Sequence, residues 1–192
     1  MKNYNISLKY KLILIAPFVL FLLFYGIIYM DKSNNIFVGD PFGKGTDRYW
    51  GTDVRVEDVQ NFEFNNKKFN IVLSTKQGDE NYKYLNVYEE KLGGLYYKCI
   101  RASEQGESEA LISFSKVILE NNKTFTIAYG DNRDLKVKSC EIGIVDNHFS
   151  DYDIRFQLPE KRFFIKVFDG TFNGLITATL QDGSTNVDYF ID

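Results

Sequence analysis

The sequence predicts an all-β fold, an antiparallel β-sandwich or partly open barrel with room for one short helix, preceded by one N-terminal transmembrane helix. Three observations predict it. From about residue 52 onward, short runs dense in Val, Ile, Thr, Phe and Tyr recur, as suits a pleated, half-buried surface. Clusters of Gly, Asn and Asp separate those runs at the spacing of hairpin turns. Ahead of them, residues 12–30 form an apolar stretch of 19 residues without an ionisable charge near neutral pH. With 44% hydrophobic and 16% aromatic residues in 192, the chain has material for one core and is neither disordered nor collagen-like.

Taken in order, residues 1–11 read as a cytoplasmic tail. Residues 12–30, LILIAPFVLFLLFYGIIYM, reach roughly 28 Å as a helix, about one hydrocarbon core, and show no polar stripe. Pro17 and Gly26 are tolerated in membrane helices. Lys2, Lys9 and Lys11 precede the stretch while Asp31 and Lys32 cancel behind it, so the positive-inside bias places the start in the cytoplasm and the rest outside. The length of the run and the absence of a small-x-small pattern in YMDKSNN favour an uncleaved signal anchor over a cleaved signal peptide. The expected location is the cell membrane, single-pass, with the bilayer as a partner of residues 12–30. Residues 31–51, beginning DKSNNIFVGDPFGKG, are rich in Gly, Asp, Asn and Lys and read as a juxtamembrane stalk.

Residues 52–192 form the expected extracytoplasmic β-domain. Its candidate strands are 56–64, 68–74, 82–90, 95–102, 110–119, 123–130, 135–145, 153–158, 162–169, 175–181 and 186–191. The turns between them are marked by Asn65-Asn66, Gly93-Gly94, Asn121-Asn122, Asp131-Asn132, Asn173-Gly174 and Asp182-Gly183. Two segments also carry helical spacing: 108–120 through Leu111, Phe114 and Ile118, and 84–92 through Tyr84, Tyr88 and Leu92. β-Branched and aromatic content, with the Gly-Gly turn after Leu92, favours strands in both.

Charge excludes one class of function. Three Lys and no acid lie in residues 1–30, leaving 20 basic and 26 acidic side chains in 31–192, a net charge of −6 without a Lys/Arg cluster. A nucleic-acid partner is not expected. One His and two Cys exclude a zinc site built from several such ligands, and no cofactor is expected.

The layout, together with KLGGLYYK (91–98) and YGDNRDLKV (129–137), resembles uncharacterised single-pass membrane-anchored proteins of Gram-positive bacteria with an exported β-domain. The resemblance implies a location and a fold, and no activity.

The chemical candidates are few. Cys99 and Cys140 lie in two expected strands. A disulfide between them would stabilise by roughly 4 kcal/mol, and two buried reduced thiols are the alternative. His148 sits beside Asp146, Asp151 and Asp153, without a calcium-loop pattern or an assignable nucleophile, and reads as a solvated loop. Glu104, Glu107 and Glu109 read as a solvated charge run. The glycines and lysine of GDPFGKG lack phosphate-loop spacing and a preceding strand. Asn122-Lys123-Thr124 is a glycosylation triplet. No catalytic residue is assigned. The expected function is therefore a non-catalytic binding or interaction module with a protein or envelope-polymer partner, using open sheet edges, loops and aromatic anchors such as Tyr96 or Tyr97. The alternatives are a tethered hydrolase of an envelope polymer using an Asp/Glu pair, and a subunit of a membrane complex.

Overall fold

The computed structural model describes residues 8–36, 39–106, 112–120, 122–144, 153–170, 174–180 and 182–190. Strands take up 55% of the chain, so the all-β class holds. In chain order the elements are α1 (Leu8–Met30), β1 (Asn34–Asn35), α2 (Pro41–Trp50), β2 (Val54–Phe64), β3 (Lys67–Lys76), β4 (Asp79–Lys91) and β5 (Tyr96–Gln105). There follow β6 (Ile112–Ile118), β7 (Thr124–Asp131), a 3-10 turn (Arg133–Leu135), β8 (Val137–Ile144), β9 (Asp153–Gln157), β10 (Phe163–Asp169), β11 (Gly174–Leu180) and β12 (Thr185–Phe190). Each of the eleven expected strands is present, including the two with helical spacing.

The strands form three antiparallel sheets with orders β1-β5-β4-β3-β2, β10-β7-β6 and β12-β11-β8-β9. Side-chain alternation stacks them. Phe69, Ile71 and Leu73 of β3, with Leu85 and Val87 of β4, pack on Val117, Phe125, Ile127 and Ile165 of the three-stranded sheet. The residues between these on β7 and β10, Ala128 and Phe164, face the other way and pack on Val137, Cys140 and Phe156 of the four-stranded sheet. The three-stranded sheet is thus a middle layer covered on both sides. On β7 every residue from Phe125 to Asp131 is buried, so this strand shows no polar face. A two-layer sandwich was expected; a third layer is what the structure adds.

The outer face of the five-stranded sheet is covered by α2, which occupies about half of the segment expected to be a stalk. Within it, β1 and α2 belong to the fold. Asp40 caps the helix by accepting from the Gly43 amide at 2.8 Å, Pro41 opens it, and Gly51 at φ +70° closes it. Phe42 and Tyr49 pack on Val72, Tyr88 and Cys99. Thr46 Oγ1 bonds the Tyr88 hydroxyl at 2.9 Å, and Trp50 Nε1 donates to Asn86 Oδ1 at 2.8 Å, so these polar groups under the helix are paired. Burial pushes the Tyr88 hydroxyl pKa upward, keeping it neutral, although the Thr46 bond pulls the other way. Gly45 lies so close to the buried Asn35 side chain of β1 that an added Cβ would overlap it. Gly45→Ala is therefore expected to cost about 1–3 kcal/mol in chemical denaturation. Asn35→Gly in the same chain should restore part of that loss, because it removes the overlapping group; strictly additive losses would place the strain elsewhere.

The transmembrane expectation is corrected. Among the described residues no helix is long and apolar enough to cross a membrane. The C-terminal end of α1 is also joined to the β-domain. Arg48 of α2 donates to the Tyr29 carbonyl and lies 4.2 Å from the centre of the Tyr29 ring, and Asn34 Nδ2 donates to the Ile28 carbonyl at 3.0 Å. A guanidinium there complements the helix dipole. The signal anchor over 12–30 and the single-pass cell-membrane location, with a cytoplasmic start and an extracytoplasmic domain, are withdrawn with it.

Candidate functional site

The densest polar grouping lies at one end of the sandwich, where β2 begins, β3 and β7 end, and β10 begins. The β3–β4 hairpin turns there through Gly78 at φ +84°. Asp131, the last residue of β7, is 5% exposed. Its Oδ1 accepts from Arg162 Nε at 2.8 Å, and its Oδ2 accepts from Arg162 Nη2 at 2.9 Å and Arg133 Nη2 at 3.0 Å. Arg162 also reaches Glu80 at 2.8 Å, which takes Arg55 at 2.7 Å. Arg55 pairs with Glu57 at 2.6 Å, and Glu57 accepts from Thr75 Oγ1 at 2.7 Å. The network links two sheets through charged bonds whose forks match carboxylate geometry.

Asn132 sets the backbone that aims Arg133. Its side chain both donates to the Val137 carbonyl at 2.9 Å and accepts from the Val137 amide at 2.8 Å, and its own amide bonds the Arg162 carbonyl at 2.6 Å. The segment after β7 is thereby pinned to the start of β10.

Electrostatics follow the pairing. Burial pushes the Asp131 carboxyl up, but Arg162 and Arg133 outweigh it and hold the group below its ordinary range. Glu80 is lowered by Arg55 and then Arg162. At the far end of β4, burial likewise raises Glu89 while Lys91 and Lys67, at 2.6 and 3.0 Å, bring it down overall. Lys83 differs. It sits on the inner face of β4, in register with Thr75 and Gln105, and is 5% exposed. Burial lowers its pKa; Asp131 opposes that, and Arg133 and Arg162 add to it. An open cleft of about 300 Å³ beside the network is lined by Arg55, Lys76, Gln77, Gly78 and Glu80.

Of the two readings of the cysteines, the structure has the pair of reduced thiols: Cys99 and Cys140 are both free and buried. Cys99 belongs to the cluster under α2, whereas Cys140 belongs to the cluster between the middle and four-stranded sheets, so whole layers separate them. Burial pushes both thiols up, Cys140 to about 12, which makes them small apolar core residues. Tyr97 stacks edge-on against Phe42 at 5.2 Å and serves the helix interface, while Tyr96 is half-buried. Glu104 is exposed on β5. His148, Asp146, Asp151, Glu107 and Glu109 lie outside the described residues, and Asp153 opens β9. GDPFGKG is the cap and first turn of α2, with its own Asp40 at the helix N-terminus.

Sequence reasoning missed Lys83, Asp131, Arg133 and Arg162 as a group. Two of them lie in YGDNRDLKV, read only as a hairpin segment. Among the described residues no group of three or more His, Cys, Asp or Glu is placed to hold a metal ion. No family model, curated protein or solved structure matches the chain.

Proposed function

We propose that the protein is a non-catalytic interaction module that takes an extended segment of a protein partner as an added strand on β6. One observation carries this: β6 is an edge of the middle sheet, paired to β7 alone along its whole length. Its sequence, ISFSKVI, has a single charge, and Ile118 at its end is 63% exposed. The β2 edge of the five-stranded sheet, by contrast, is defended. β2 carries Arg55, Glu57, Asp58 and Glu63, and Asp58 is clamped by Lys161 at 2.6 Å. An uncovered edge with few charges supplies main-chain hydrogen bonds to a partner strand, and buried neighbours on both faces set which side chains that strand must carry.

Glu80, Glu89 and Asp131 are held ionised by cations, so none of these three supplies the proton that a carboxylate-pair hydrolase needs. The test places a photo-cross-linking residue at Ile118 and, as a comparison, at Leu95, which is 73% exposed near the β4–β5 turn. Cross-links to one partner are expected from Ile118 and not from Leu95. The partner's linked peptide should be extended, and the β6 amides should gain hydrogen-exchange protection when it binds. Equal cross-linking from both positions, or unchanged β6 exchange, would falsify the strand-edge reading.

A further inference from the structure

We propose that the polar end of the sandwich is an anion-binding site that takes one small oxyanion, a phosphate or carboxylate group, between Lys83, Arg133 and Arg162. It goes beyond the strand-edge reading and stands independently of it. The isolation of Lys83 is the starting point. Its side chain is more than nine-tenths buried, yet it makes no hydrogen bond or ion pair to the described residues. A buried charge without a partner is among the costliest groups a fold can hold. Its Nζ is not fully enclosed and keeps an opening to solvent.

The neighbouring carboxylates are already committed. Asp131 uses both oxygens on Arg162 and Arg133, and Glu80 uses one oxygen on Arg55 and the other on Arg162. Glu57 is shared between Arg55 and Thr75. Asp131, Arg133 and Arg162 are the charged groups that act on Lys83, so three cations surround one carboxylate whose oxygens are both already taken, and an anion between the cations offsets their repulsion. Arg133 is half-exposed and gives only Nη2 to Asp131, so the rest of its fork is available to a planar or tetrahedral oxyanion.

The test uses the full chain and inorganic phosphate, read by thermal unfolding at fixed ionic strength against chloride. A saturable rise in Tm is expected, distinct from the unsaturable rise that ion exclusion produces. Lys83→Met should unfold at a higher temperature than the parent in phosphate-free buffer, since its buried charge is gone, and should weaken the apparent phosphate Kd by about tenfold or more. Arg133→Gln, on a half-exposed side chain, should weaken it by about three- to tenfold, whereas Lys68→Gln, an exposed lysine elsewhere, should leave it within about twofold. Absence of saturation in the parent overturns the site, as does equal weakening by Lys68→Gln. A Lys83→Met chain that is less stable and still binds phosphate like the parent overturns it too. Should that variant not fold, the contrast between Arg133→Gln and Lys68→Gln decides alone.

Discussion

Replacing Phe125 by alanine is expected to cost about 3–5 kcal/mol of unfolding free energy, enough to unfold much of the chain at physiological temperature. Phe125 is fully buried on β7, and its ring meets Phe62, Phe64 and Phe69 at centroid distances of 5.2, 5.5 and 5.4 Å. Those partners come from β2 and β3, so the cavity would open between the five-stranded sheet and the middle sheet, where neither backbone can close it without moving a sheet. Phe125→Leu keeps most of the volume and should lose about 1 kcal/mol or slightly more. Chemical denaturation of both variants measures the difference. A loss below about 1.5 kcal/mol for the alanine variant would mean that the layers do not meet on this ring.

Asp131→Ala is the second large effect, at about 2–4 kcal/mol near neutral pH, because it strands two guanidinium groups that share one buried carboxylate. Its pH dependence has a definite sign. The carboxyl is held below its ordinary value in the fold, so its contribution is complete above the unfolded value of about 3.9 and is lost as pH falls through the lower folded value. The gap in stability between parent and variant should therefore narrow in acid. Glu89 is lowered too and weakens the parent over the same range, but it lies at the far end of β4 with its own lysines in both chains and cancels in the difference. A gap that stays constant from pH 7 to about pH 3 would show that the charge of Asp131 contributes nothing.

The strands were legible in the sequence because their punctuation is chemical. Asn65 and Asn66 both adopt positive φ, at 53° and 60°, as do Gly93 and Gly94, and these residue types announce such turns. The layer count was not legible. The alternation that separates Ile127 from Ala128 marks two faces, and nothing local says that both are covered. The helix α2 was missed although its signals are present in order: Asp40, Pro41 and, past the end, Gly51. Gly43 and Gly45 made the segment look like a loop, when Gly45 is small because Asn35 lies against it.

The membrane anchor was over-read: among the described residues no helix is long and apolar enough to cross a bilayer, and the sequence of residues 12–30 also carries no sign that Arg48 would close on the Tyr29 carbonyl. The polar site was invisible because its members stand on β4 and β7, in the turn after β7 and just ahead of β10, and only the sheet order brings them together.

The middle sheet also constrains the order of assembly. β6 and β7 are adjacent in the chain, but β10, which completes their sheet, follows about thirty residues after β7, with β8 and β9 committed to a different sheet in between. A ribosome delivering the chain from its N-terminus therefore finishes the five-stranded meander first, then releases a β6–β7 hairpin whose second edge stays unfilled until Phe163–Asp169 emerges. Loop closure across that interval slows folding, and during it the apolar side chains of β7 are exposed to neighbouring nascent chains. The sheet that is best protected in the finished molecule is thus the one most open to misassembly while it is being made.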